Sequence, residues 1–117
     1  MTSLNQKQIK KYYNRDKVEL LVKKLSLEAK KSKLDGVVCS PKEIKYVRSV
    51  VGNNFLIVTP GIRLEQKKMK MDDQERTLSP CEAIKLGADL LVIGRPITKS
   101  QNPLKTIKEI NETLIKC

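Results

Sequence analysis

The chain has 117 residues, about one domain's worth. Its 24 Lys and Arg against 13 Asp and Glu give a formal charge of +11, with 39% hydrophobic and 32% charged residues. That balance fits a folded globular chain and excludes a disordered one. No apolar run approaches the roughly 18 residues of a membrane span. The first seven residues, Met1 to Lys7, hold no apolar core of a secretory signal, so a cytoplasmic protein away from membranes is expected.

Histidine is absent from the sequence. That excludes Ser-His-Asp and Cys-His catalysis, His-ligated zinc and the usual general base near neutral pH. The three cysteines, Cys39, Cys81 and Cys117, are odd in number and far apart. Neither a metal site nor a disulfide framework is expected of them, and Cys39 and Cys81 read as ordinary buried or half-buried thiols. The positive charge consists of 19 Lys and only 5 Arg, with three Tyr, one Phe and no Trp. Nucleic-acid readers favour Arg and interleaved aromatics, so a solvated lysine surface is expected rather than a nucleic-acid face.

Thr2-Ser3-Leu4 is a strand stub. Val18, Leu21, Val22, Leu25 and Ala29 then form an apolar stripe, which predicts a helix over about residues 17–33. A repeated unit follows: an apolar run, a loop, Ser or Asn before Pro, and an amphipathic segment. Val37-Val38-Cys39 leads to Ser40-Pro41-Lys42-Glu43, Phe55 to Val58 leads to Ser79-Pro80-Cys81-Glu82, and Leu90 to Ile93 leads to Asn102-Pro103. Each Ser or Asn is an N-cap with Pro at the first helical position, where its missing N–H costs nothing. Ser40 with Glu43 and Ser79 with Glu82 also match the capping box.

Helical spacing continues through Ile44, Val47 and Val51 up to Gly52, through Ala83, Ile84 and Leu86 up to Gly87, and through Leu104, Ile107, Ile110 and Leu114. The apolar runs are continuous, as in parallel strands buried on both faces. Alternating strands and helices then predict three βα units with right-handed crossovers. No linker or low-complexity segment interrupts the chain, so residues 1–117 are read as one domain.

Three strand-end segments carry the chemistry. Val58 runs into Thr59-Pro60-Gly61-Ile62-Arg63, Ile93 runs into Gly94-Arg95-Pro96-Ile97-Thr98, and Asp72-Asp73-Gln74-Glu75-Arg76 lies between them. In parallel α/β folds, ligands bind at the carboxyl ends of the strands. A Gly there lets a ligand approach the backbone, and an Arg beside it offers a planar fork suited to phosphate. Two such pairs at adjacent strand ends predict a site for a phosphorylated small molecule.

Leu34 to Ser40, Val58 to Arg63, Asp73-Gln74 and Val92 to Thr98, in this order and spacing, resemble orotidine 5′-phosphate decarboxylase of the bacterial type. The resemblance runs from Thr2 to the C-terminus. It implies an α/β fold that is the C-terminal half of a (β/α)8 barrel: a remnant of strand five, then strands six to eight. A complete barrel needs at least about 200 residues. It also implies site residues: Gly94 through its N–H and Arg95 through its fork would hold the substrate phosphate, with Arg63 on the same side. Gln74 would reach across the ligand, Pro60 would line the pyrimidine pocket, and Thr2 and Ser3 would contact the nucleotide and its pyrimidine amide.

The family reaction converts orotidine 5′-monophosphate to uridine 5′-monophosphate and CO2 without a cofactor. Its catalytic Asp-x-Lys-x-x-Asp array lies on an earlier strand, with Lys protonating the carbanion. In this chain none of Asp16, Asp35, Asp72, Asp73 and Asp89 has Lys two residues on, so no catalytic residue is assigned. Two further departures stand out. Lys33 occupies a helix end where the family places Gly, which predicts a left-handed Lys at a cost of about 1 kcal/mol. The segment Leu64 to Met71 is longer and more basic than the family's loop.

The first expectation is therefore an inactive truncated homologue that retains its phosphate and pyrimidine contacts. An active barrel completed by a separately encoded N-terminal half is an alternative partner arrangement. Others are a phosphate- or nucleotide-binding homodimer and a basic RNA-associating protein.

Overall fold

The computed structural model of the chain describes residues 6–13, 17–64 and 78–117. Helices α1 (Gln6–Tyr13) and α2 (Val18–Lys31) precede strand β1 (Gly36–Val38). A 3-10 turn (Pro41–Glu43) and α3 (Ile44–Val51) lead to β2 (Leu56–Pro60). Then come α4 (Pro80–Leu86), β3 (Leu90–Val92), the short α5 (Arg95–Thr98) and α6 (Pro103–Ile115). The strands form one parallel sheet in chain order, with Val38 opposite Val58 and Pro60 opposite Val92. The expected stub at Thr2-Ser3-Leu4 lies outside the described residues.

The helix starts obey the caps. Glu43 accepts the Ser40 N–H at 2.9 Å. Glu82 accepts both the N–H and the hydroxyl of Ser79, while Ser79 Oγ accepts the Glu82 N–H. Asn102 Oδ1 accepts the Lys105 N–H at 3.0 Å. These bonds satisfy donors that the first helical turn leaves open.

Two helices end in the same closed motif. At the end of α2, Lys33 N–H donates to Lys30 and Leu34 N–H to Ala29. At the end of α4, Gly87 N–H donates to Ile84 and Ala88 N–H to Ala83. The pivotal residue must be left-handed in both. Gly87 has φ 110° and Lys33 has φ 59°, the one positive φ among the described non-glycine residues.

The core lies on one side of the sheet. Ile57 and Thr59 of β2 are fully buried there, against Ile44, Val47 and Val51 of α3, Val22 of α2 and Ala83 of α4. Strand residues alternate between faces, and the opposite face is bare. Val38 is 61% exposed, Leu56 46%, Leu90 54% and Val92 52%. This corrects the expectation of strands buried on both faces: among the described residues, helices cover one face only. Covering the other would contribute on the order of 1 kcal/mol for each of these side chains.

Gly36 lies on the bare face at the start of β1. A Cβ there would sit 2.4 Å from the Leu56 carbonyl oxygen, so strand approach itself requires the glycine.

Below the sheet, at the amino ends of β2 and β3, Arg48 reaches out of α3. Its guanidinium donates to the carbonyls of Gly52 (2.6 Å), Phe55 (2.8 Å) and Gly87 (2.5 Å) and to the Asp89 carboxylate (2.5 Å). The same Asp89 oxygen accepts the Ile57 N–H at 2.7 Å. One cation thereby ties α3, both strand entries and the end of α4 together.

The cysteines also correct an expectation. Cys39 is a free buried thiol, but Cys81 and Cys117 are joined in a disulfide. Sequence spacing hid this pair, because α6 returns alongside α4 only in three dimensions.

Candidate functional site

At its carboxyl end β2 finishes at Pro60, half-buried and in register with Val92, the last residue of β3. Pro60 falls on the same bare face as Val92. Gly61 turns the chain away with φ 76°, a torsion that favours glycine. Ile62 plugs back into the core. Arg63 is exposed, and its N–H donates to the Leu78 carbonyl at 3.2 Å. That bond joins the two stems of the intervening loop and fixes where Arg63 leaves the sheet.

β3 continues through Ile93, which packs against the core, to Gly94. The Gly94 carbonyl accepts the N–H groups of Ile97 and Thr98 and so starts α5. Gly94 has φ −103°, and no atom lies within 4 Å of where its Cβ would be. No packing contact requires a glycine here. What its missing side chain provides is open space in front of the backbone. Arg95 follows with an exposed side chain.

The structure therefore brings Pro60, Gly61 and Arg63 to one edge of the sheet beside Gly94 and Arg95. Among the described residues, neither Arg63 nor Arg95 has an acidic partner. Both side chains are exposed, and a guanidinium is a planar fork suited to anions. Thr2, Ser3 and Gln74, also expected at the site, lie outside the described residues, as does most of the segment Leu64 to Met71.

No group of three or more His, Cys, Asp or Glu that could hold a metal ion occurs among the described residues. No described helix is long and apolar enough to cross a membrane. The Cys39 thiol, close to the strand ends, is pushed up to about 11 by burial and then by the negative charge of Glu43. It is therefore protonated and unreactive near neutral pH. Two clefts of about 320 and 330 Å³ lie along α6. Neither is lined by Pro60, Arg63, Gly94 or Arg95.

Sequence reasoning missed Arg48. The available signal was its position within the Ile44, Val47 and Val51 stripe, where a cation on an otherwise apolar face needs acceptors.

Comparison with known proteins agrees with the motif order. Residues 1–110 match the family model of Orotidine 5′-phosphate decarboxylase / HUMPS family. An orotidine 5′-phosphate decarboxylase of Trichlorobacter lovleyi is 44% identical over 98% of this chain and 47% of its own length. Another from Tolumonas auensis is 47% identical over 80% of this chain and 40% of its own. The solved structure of the Lactobacillus acidophilus enzyme superposes with a TM-score of 0.76 at 30% identity, over 97% of this chain and 46% of that one. An uncharacterized conserved protein from Geobacillus kaustophilus gives 0.75 at 28% identity, over 97% and 45%. The chain spans about half the length of the relatives it matches, and its α/β fold is that of a partial (β/α)8 barrel. The chain belongs to the orotidine 5′-phosphate decarboxylase / HUMPS family.

Proposed function

We propose, on the strength of that membership, that this chain supplies the phosphate- and pyrimidine-contacting part of an orotidine 5′-phosphate decarboxylase barrel. The observation that carries this reading is placement: Gly94 and Arg95 follow β3, and Arg63 follows Pro60 at the end of the neighbouring β2, so all four lie at the carboxyl edge of the sheet. In this reading the Gly94 N–H and the Arg95 fork hold the 5′-phosphate, with Arg63 on the same side. Pro60 lines the pyrimidine pocket, Gln74 crosses the ligand, and Thr2 and Ser3 contact the nucleotide.

Expelling CO2 from the pyrimidine leaves a carbanion that needs a proton donor. Contacts to the distant phosphate can lower that barrier only where they help to assemble the reacting end of the site. No Asp of this chain has Lys two residues on. The chain by itself therefore binds the nucleotide without decarboxylating it.

Calorimetric titration with uridine 5′-monophosphate tests this. The unaltered chain should bind saturably. Arg95→Ala should weaken binding by roughly ten- to a hundredfold, the range of one charge-assisted contact. Equal affinity in both would refute the phosphate assignment.

The bare face of the sheet favours one extension of the reading. Val38, Leu56, Leu90 and Val92 would be covered by the remaining strands of the barrel, from the same polypeptide or a separate one. Mixing the chain with a polypeptide that carries those strands and the Asp-x-Lys-x-x-Asp array should then produce decarboxylation that neither gives alone. Mixtures that stay inactive and do not associate would contradict it.

A further inference from the structure

The three cysteines fall into two environments. Cys39 is buried in the core. Cys81 is half-buried in the first turn of α4, and Cys117 is exposed just beyond α6. Cys81 and Cys117 are bonded through their sulfurs, with Cα atoms 5.7 Å apart and 36 residues between them in sequence, within the ordinary Cα span of a disulfide.

The bond lies where non-covalent packing is thin. Of the α6 residues only Ile110 is buried, while Leu104 and Ile115 are more than four-fifths exposed. An open cleft of about 320 Å³, lined by Leu64, Pro80, Cys81, Glu109 and Thr113 among others, separates α6 from the start of α4. Cys81 also follows closely on Leu78, whose carbonyl fastens the stem of the Arg63 loop. At its other end α6 begins shortly after Arg95.

We propose that Cys81 and Cys117 form a reversible thiol–disulfide exchange site, acted on by low-molecular-weight disulfides of the glutathione class, which clamps α6 onto the stem of the Arg63 loop. Closure starts when one cysteine thiolate attacks the small disulfide, forming a mixed disulfide and releasing one small thiolate. The second cysteine thiolate displaces the remaining small thiolate. The protein loses two thiol protons and two electrons, and the small disulfide is reduced to two thiols. A clamp on a helix that fully buries only Ile110 restrains an element whose own packing is thin. This inference does not depend on nucleotide binding.

The test uses the full chain equilibrated with glutathione disulfide or with reduced glutathione. Thiol labelling in denaturant, read by mass, should give one label after oxidation, on Cys39, and three after reduction. The oxidised form should melt on the order of 10 °C higher. Amide exchange should rise on reduction in α6 and stay unchanged in α3. Cys117→Ser should match the reduced protein and ignore the redox state. If that variant fails to fold, the comparison of the two forms of the unaltered chain decides alone. Three labels after oxidation, a bond to Cys39, or equal melting and equal α6 exchange in both forms would overturn the proposal.

Discussion

The two ends of the sheet use arginine in opposite ways. At the amino ends of the strands, every donor direction of Arg48 is taken by three carbonyls and the Asp89 carboxylate. At the carboxyl ends, Arg63 and Arg95 are exposed and have no acidic partner among the described residues. The glycines divide in the same way. Gly36 and Gly87 are demanded by close strand approach or by a positive φ, whereas at Gly94 open space lies where a Cβ would be. The difference separates groups bonded within the fold from groups left exposed. It follows the general rule that the amino ends of barrel strands serve stability and the carboxyl ends serve ligands.

The largest expected effect breaks the stability end. Arg48→Ala strips partners from Asp89 and from carbonyls at both strand entries, a loss of about 3 kcal/mol by urea unfolding. Arg95→Ala should stay within about 0.5 kcal/mol of the unaltered chain in the same assay. Equal losses would erase the contrast between the two ends.

Next in size is the glycine pair. Gly36→Ala drives a methyl group into the Leu56 backbone and should cost about 2 kcal/mol. Gly94→Ala meets nothing in the described chain. It should cost less than Gly36→Ala in the same unfolding assay while weakening uridine 5′-monophosphate binding.

Lys33 offers a smaller effect of opposite sign. It sits in the same left-handed position that Gly87 occupies at the end of α4. Lys33→Gly should stabilise the chain by about 1 kcal/mol in denaturant unfolding, and Gly87→Ala should destabilise it. A destabilising Lys33→Gly would show that the lysine side chain has a role beyond its backbone.

The smallest effect is a pH dependence. The N–H and hydroxyl of Ser79 hold the Glu82 carboxyl below its ordinary range. A carboxyl depressed in the folded state contributes stability above its unfolded pKa and loses it as pH falls through the folded pKa. The protection factors of the amides at the start of α4, corrected for the intrinsic exchange rate, should therefore fall below about pH 4.5. Glu82→Gln should remove that dependence.

Much of the fold was legible in sequence because its punctuation is local. Ser-Pro and Asn-Pro caps, Gly52 and Gly87 each act within a few residues, whereas the left-handed Lys33 was legible only against the Gly that the family places there. The bare face was not legible. A continuous apolar run such as Leu56 to Val58 looks the same whether its second face is covered within this chain or by something else. Arg48 and the Cys81–Cys117 bond depend on residues brought together from distant parts of the chain, and α5 is too short to show a clear period. At the site, motif order pointed to Pro60, Arg63, Gly94 and Arg95. Spacing could not tell that open space lies where a Gly94 Cβ would be.

The most direct test of the contrast is a two-dimensional NMR titration of the chain with uridine 5′-monophosphate. The account predicts saturable shifts at Gly94, Arg95, Arg63 and Gln74, with the amides around Arg48 and Asp89 unmoved. A well-dispersed spectrum with no response at Gly94 and Arg95, or with its largest shifts around Arg48, would contradict it.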